Sequence, residues 1–284
     1  MKNRQTYFYA CLVGIAALAG GAFPVFAAAP ASPLGTASSF SVLSAAPSGG
    51  GTVTCTDSTI TGDVGSSGPS ASVVQTSCAI TGAVIAPVSS QVLTDFNGTY
   101  DALAGESCDQ TLTGTLDGVT LAPGVYCFDA AATLTGTLTL AGPSSGIWLF
   151  KIGTSGTGAL TGTNFSVVMA NGAVACNVTW WVAQAATLTD SNFKGSILAG
   201  AAITVTRGTF AGRTLAKAAV TLTGVAATGC GSGTVNPPKQ KCNQGVGNGP
   251  EGCDPGNSNQ GNPFHSNDEQ GGTPGNPGRK GGNN

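Results

Sequence analysis

Thr187-Leu188-Thr189 recurs as Thr204-Val205-Thr206 and again as Thr221-Leu222-Thr223, each time 17 residues further along. This repeat limits the folds open to the chain more than any other feature. The neighbours keep register with it: Phe193 with Phe210, Gly195 with Gly212, Leu198 with Leu215, Ala199 with Ala216, Ile203 with Val220. A period this short cannot hold a pair of helices, and it suits one turn of a β-solenoid. Successive strand side chains take opposite faces, so Leu188, Val205 and Leu222 are expected inside and the flanking threonines outside. The β-branched threonine fits an exposed strand face. Upstream, Leu112-Thr113-Gly114-Thr115, Leu134-Thr135-Gly136-Thr137 and Leu160-Thr161-Gly162-Thr163 read as looser circuits. Phe40-Ser41-Val42-Leu43 and Thr61-Gly62-Asp63-Val64-Gly65 start the stack.

One segment departs from this pattern. Residues 88–104 place Val92, Phe96, Tyr100 and Leu103 at helical spacing, with Ser89 or Ser90 as N-cap and Gly105 as the stop. An amphipathic helix beside a solenoid is expected to cover one of its apolar sides.

The ends set the boundaries. Lys2, Arg4, the apolar run Ala10–Ala19 and the small residues around Ala27 and Ala29 read as an export signal over residues 1–29. The run is too short to span a bilayer, and no membrane insertion is expected. Residues 30–230 form the β-solenoid domain. Beyond Cys230, 14 Gly, 7 Pro and 10 Asn leave too few apolar residues for a core, so residues 231–284 are expected to be a disordered tail. Eight cysteines follow the signal: 55, 78, 108, 127, 176, 230, 242 and 253. An even count in an exported, secreted chain favours disulfides, and the simplest pairing is local (55–78, 108–127, 176–230, 242–253) although the sequence does not fix it. No pair has C-x-x-C spacing and no histidine lies near, so neither a metal site nor a cofactor is expected.

Charge is sparse. Leu34 to Cys230 holds nine acids and five bases, against a usual charged share of about 25%. Such a surface has no footprint for nucleic acid. His265, the single histidine, lies in the tail, so the folded region cannot build a Ser-His-Asp or Cys-His pair. Gly142-Pro143-Ser144-Ser145-Gly146 matches G-x-S-x-G without the histidine that pattern needs. Most acids stand singly, and Asp101, Glu106 and Asp109 lie closer together around a helix end, where a solvated face is expected. A catalytic role is not expected.

The positive signal is the threonine array. Thr187, Thr204, Thr221 form one row and Thr189, Thr206, Thr223 a second. Strands roughly 4.8 Å apart, with T-x-T repeating at roughly 6.7 Å along each strand, make a regular grid of methyls and hydroxyls. A grid of this kind can order water into an ice-like layer, and a crystal rewards many weak, repeated contacts on one rigid surface. A second pattern, T-x-x-[N/T]-F, links Thr161 to Phe165, Thr189 to Phe193 and Thr206 to Phe210, with the rings expected inside and Thr163, Asn164, Asn192 and Thr209 near the rim. Thr-rich outward strands are also a common solenoid surface, so the array alone leaves a purely structural reading open.

Several segments, in order, resemble the microbial ice-binding protein family. They are Leu34-Gly35-Thr36-Ala37 with Phe40–Leu43, Ile60–Gly65, Leu121-Ala122-Pro123-Gly124-Val125-Tyr126 and Ile147-Trp148-Leu149-Phe150-Lys151-Ile152-Gly153. Asn171-Gly172-Ala173 with Asn177–Val182, and Phe193–Ala199, complete the set, so the resemblance covers about 34 to 228. It implies a right-handed β-solenoid of triangular cross-section, one long helix along one face, and a flat opposing face that binds an ice crystal surface; the chain is expected to be a monomer. It also implies a T-[A/G]-x-[T/N] motif, which Thr161-Gly162-Thr163-Asn164 fits. At 189–192 and 206–209, Asp190 and Arg207 replace the small residue. A secreted adhesin using the same face on a polysaccharide or cell surface is the alternative.

Overall fold

The computed structural model describes residues 34–230. The export signal, the tail, His265 and the 242–253 pairing lie outside the described residues. The described residues are mostly β, with two parallel sheets and one α-helix, Ser90–Ala104. The chain passes from one sheet to the other and back, and each return adds a parallel strand beside the last. In the first sheet the order is Val84–Ile85, Asp63–Ser66, Phe40–Ser44, Thr214–Ala216, Ser196–Ala199, Val178–Val182, Trp148–Ile152, Gly124–Phe128, Gln110–Thr111. In the second it is Val73–Thr76, Val53–Thr56, Val220–Thr228, Ile203–Ala211, Ala186–Lys194, Leu160–Ala170, Ala132–Ala141, Thr120–Leu121. Chain order and stacking order therefore differ. The N-terminal circuits stack on the last circuit, with Val42 beside Thr214 and Val53 beside Val220.

Between the sheets lies the larger core. Inward residues from both meet there, including an aromatic run in which Phe150 stacks on Trp180 at 3.9 Å and on Tyr126 at 5.6 Å. The first sheet is apolar on its outer side as well. Leu43, Leu215, Leu198, Trp181, Leu149 and Val125 form a second cluster with Val92, Phe96, Tyr100 and Leu103 of the helix. A sheet covered on both faces reads as continuous apolar sequence, as Trp148–Ile152 does. Polar contacts fix the helix as well. Tyr100 Oη donates to Val182 O at 3.0 Å and Trp181 Nε1 donates to Tyr100 O at 3.0 Å. Buried Lys151 donates through Nζ to Ala104 O and Glu106 O, satisfying carbonyls that a helix end leaves open. Burial there holds its ammonium below the usual lysine range.

Ser89 occupies the N-cap and Gly105 the C-cap, as the sequence indicates, while the helix begins at Ser90 rather than 88. Disulfides join 55–78, 108–127 and 176–230. Each ties a peripheral stretch to the stack: Cys55–Cys78 holds the outermost N-terminal circuit, and Cys176–Cys230 holds the last described residue.

Candidate functional site

The second sheet has no helix over it among the described residues, and its register builds the site. Thr187, Thr204 and Thr221 lie side by side, as do Thr189, Thr206 and Thr223. The rows do not stop there. Thr221 is beside Thr54, and Thr187 is beside Thr161, which is beside Thr133. Thr223 is beside Thr56, Thr56 beside Thr76, and Thr189 beside Thr163. Each row thus holds six consecutive threonines, twice the length that the 17-residue repeat reveals. Thr54, Thr56, Thr76 and Thr133 were not singled out in the sequence. Their signal was present as Thr54-Cys55-Thr56 and Thr133-Leu134-Thr135, but nothing in the sequence says that residues 53–56 stack on residues 220–223.

Alternation is strict along this stretch. Leu134, Leu188, Val205, Leu222 and Cys55 are buried, while the threonines between them are exposed or half-exposed. None of the twelve threonine hydroxyls donates or accepts a protein hydrogen bond among the described residues, so both groups each side chain carries, methyl and hydroxyl, face outward to solvent.

One residue beyond each second-row threonine the backbone turns. Asn164, Asp190, Arg207, Gly224, Asp57 and Ser77 all have positive φ, between 47° and 65°. This column spends one residue of each strand in a left-handed conformation, so alternation resumes out of step. Thr189 faces out, Asp190 is exposed at the turn, Ser191 faces in, Asn192 out and Phe193 in. The turn interrupts the strand ladder, and buried serines repair it. Ser191 Oγ donates to Thr189 O at 2.9 Å and accepts from Phe165 N at 3.3 Å. Ser58 does the same between Thr56 O and Val225 N. At Gly208 an added Cβ would meet Ser191 O at 2.2 Å, so the circuit above leaves room for glycine alone.

The column separates the expected site residues. Thr161, Thr163, Thr187, Thr189, Thr204, Thr206, Thr221 and Thr223 share the array. Asn164 stands on the turn. Asn192 and Thr209 lie beyond it on the next stretch of the same strands, where Thr209 Oγ1 donates to Asn192 Oδ1 at 2.7 Å and so occupies both groups. The T-x-x-[N/T]-F alignment is corrected by the register: Thr163 pairs with Thr189 and Ser166 with Asn192, so 163–166, not 161–164, is the counterpart of 189–192. The three rings are buried as expected, but Phe165 occupies the place of Ser191 rather than that of Phe193.

Asp190 and Arg207 belong to the turn rather than to the array. They form a two-pronged ion pair, Nε to Oδ1 at 2.6 Å and Nη2 to Oδ2 at 2.7 Å. The hydrogen bond from Arg207 holds the Asp190 carboxyl below its ordinary range. Each charge offsets the other at the border of the uncharged threonine rows.

A small cavity of about 140 Å³ is lined by Leu198, Thr179, Cys176 and Arg213 among others. Its cysteine is in a disulfide, and its guanidinium donates to Ser38 O and Cys230 O, which ties the two ends of the domain together. No group of three or more His, Cys, Asp or Glu side chains able to hold a metal ion occurs among the described residues. None of their helices is long and apolar enough to cross a membrane.

Comparison with known proteins agrees with this architecture. An ice-binding protein of Nostoc sp. (strain HG1) is 39% identical over 181 residues, which are 62% of this chain and 65% of that relative's length, so the match spans less than two thirds of it. The crystal structure of an ice-binding protein from an Antarctic biological consortium superimposes with a TM-score of 0.63 at 29% identity, covering 71% of this chain and 93% of that one. That of the Antarctic ascomycete Antarctomyces psychrotrophicus gives 0.60 at 34%, covering 69% and 96%. The Ice-binding-like family model matches residues 46–228, and the chain belongs to that family.

Proposed function

We propose that this protein adsorbs to ice through the two rows of threonines and thereby inhibits ice growth or recrystallisation. One observation carries the reading: five consecutive strands place Thr-x-Thr in register, a sixth threonine extends each row, and every hydroxyl of both rows is left to solvent. With strands roughly 4.8 Å apart and the two rows roughly 6.7 Å apart, the methyls confine water and the hydroxyls anchor it in a two-dimensional lattice. Each contact is weak, and their sum on one rigid surface is not. The relatives and solved structures that match the chain are themselves named as ice-binding proteins. The array is taken to be flat, one side of a right-handed stack of triangular cross-section whose other sides are the helix-covered sheet and the stretch beyond the turn. The domain, residues 30–230, works outside the cell without catalysis, delivered by the signal in residues 1–29 and followed by the tail 231–284.

Thermal hysteresis and recrystallisation inhibition of the purified protein test this. Thr189→Tyr and Thr206→Tyr should each abolish both activities and leave the melting curve unchanged, because the ring breaks the lattice while its Cβ still fits the strand. Full activity in both variants moves the site to another face. A folded but inactive wild-type protein removes the ice reading and leaves the adhesive one.

A further inference from the structure

The two extremes of the stack are built differently. At one end Val73–Thr76, Ala79–Ile80 and Val84–Ile85 each pair, among the described residues, with the neighbouring circuit on one side alone. An open strand edge is a template for another strand, and proteins blunt it by keeping the strand short, with charge, or with proline. These strands are short, at 4, 2 and 2 residues, but neither charge nor proline is used in them. No charged residue stands between Asp63 and Asp95, and Pro69 and Pro87 fall outside the three strands. Val74, Val84 and Ile85 are 49%, 43% and 39% exposed. At the opposite end, Gln110–Thr111 and Thr120–Leu121 run beside Asp109 and Asp117.

We propose that the uncharged end docks a second copy of the same chain, end to end, about a two-fold axis normal to the threonine sheet. Strand Val73–Thr76 then meets its counterpart antiparallel, centred on Gln75, which sets Val74 beside the partner subunit's Thr76. Residues directly opposite in an antiparallel pair share a face, so outward side chains stay outward. Val74 lies beside Thr54 and Thr76 beside Thr56, at the ends of the two rows. Each row therefore runs on through the junction into the partner's rows, with one valine at the seam, and the dimer presents one array of double length. A head-to-tail contact would instead desolvate Asp109 and Asp117 against an apolar edge, and it would not close. The two-fold contact closes after two copies. The lengthened array rests on the function proposed above; the association does not.

Sedimentation velocity of the full chain, from micromolar to millimolar concentration, reads the association without reference to ice. Ile85→Lys and Val84→Asp, both at exposed positions, put a charge on the edge, and Thr111→Lys puts one at the far end. The expected result is a reversible dimer that Ile85→Lys or Val84→Asp weakens at least tenfold with an unchanged melting curve, and that Thr111→Lys leaves intact. Four results overturn the proposal: a wild-type monomer at every concentration, open-ended filaments, a dimer that only Thr111→Lys disrupts, or a dimer that non-reducing electrophoresis shows to be disulfide-linked. A dimer that forms without any ice activity would sink the ice reading and leave this one standing.

Discussion

Two outward-facing surfaces of the same stack have opposite chemistry and opposite fates. On the first sheet the outward row is Leu43, Leu215, Leu198, Trp181, Leu149 and Val125, and a helix lies across it. On the second the outward rows are threonines, with no helix across them among the described residues. The backbone is the same in kind, a parallel ladder with one outward residue of each row per circuit. A row of leucines removed from water stabilises the fold by about 25 cal/mol per Å² of apolar surface, so it draws a cover to itself. A row of threonines has methyls enough to shape the water above it and hydroxyls enough to remain wetted. Covered and bare faces are thus alternatives, chosen by one side chain per circuit.

The sharpest way to break that contrast is to remove the cover. Phe96, on the buried face of the helix, is fully buried, and Phe96→Ala should cost about 3–5 kcal/mol. The loss would show as a large fall in melting temperature, with apolar dye binding to the exposed leucine row. A reciprocal exchange comes next. Leu198→Thr leaves a gap and an unpaired hydroxyl beneath the helix, with an expected cost on the order of 2–4 kcal/mol. Thr204→Leu on the bare sheet should change stability by less than about 1 kcal/mol in a chemical denaturation curve. It should nevertheless depress thermal hysteresis, because one anchor of the lattice is gone. Equal stability losses at the two positions would show that the surfaces do not differ as argued.

The smallest effect is expected at the border of the array. Asp190 has its carboxyl held below the ordinary value of 3.8 by Arg207, so its contribution is complete above that value and is lost only as pH falls through the still lower folded value. Ice activity and melting temperature should therefore be flat from neutral pH to about pH 5. Asp190→Asn with Arg207→Gln should leave both unchanged, since the pair is exposed and stands on the turn. A strong loss of activity in that double variant would move the ice-contacting surface from the rows to the turn.

Much of this was legible in the sequence, and the parts that were not have physical causes. Three circuits share a 17-residue period because no loop interrupts residues 186–228, so the rows through Thr187 and Thr189 could be read directly. The helix was visible in the spacing of Val92, Phe96, Tyr100 and Leu103. The positions of Thr54, Thr56 and Thr76 were not, because pairing Val53 with Val220 is a tertiary choice that local pattern does not encode. The slip at Phe165 has another origin. The turn column takes almost any residue, from Asn164 to Arg207, so a motif read across it counts residues correctly and faces wrongly. The separation of Asn192 and Thr209 from the threonine rows follows from that same column.

The stacking order also has a consequence for the order of events as the chain is made. Phe40–Ser44 and Val53–Thr56, among the first strands synthesised, take their places beside Thr214–Ala216 and Val220–Thr228, which are the last. Until those last strands emerge, the early ones lack one of their two neighbours, and the threonine rows lack continuity between Thr221 and Thr54. Pairings this distant in sequence make folding slow and late. The two threonine rows are consequently among the last features the nascent chain completes.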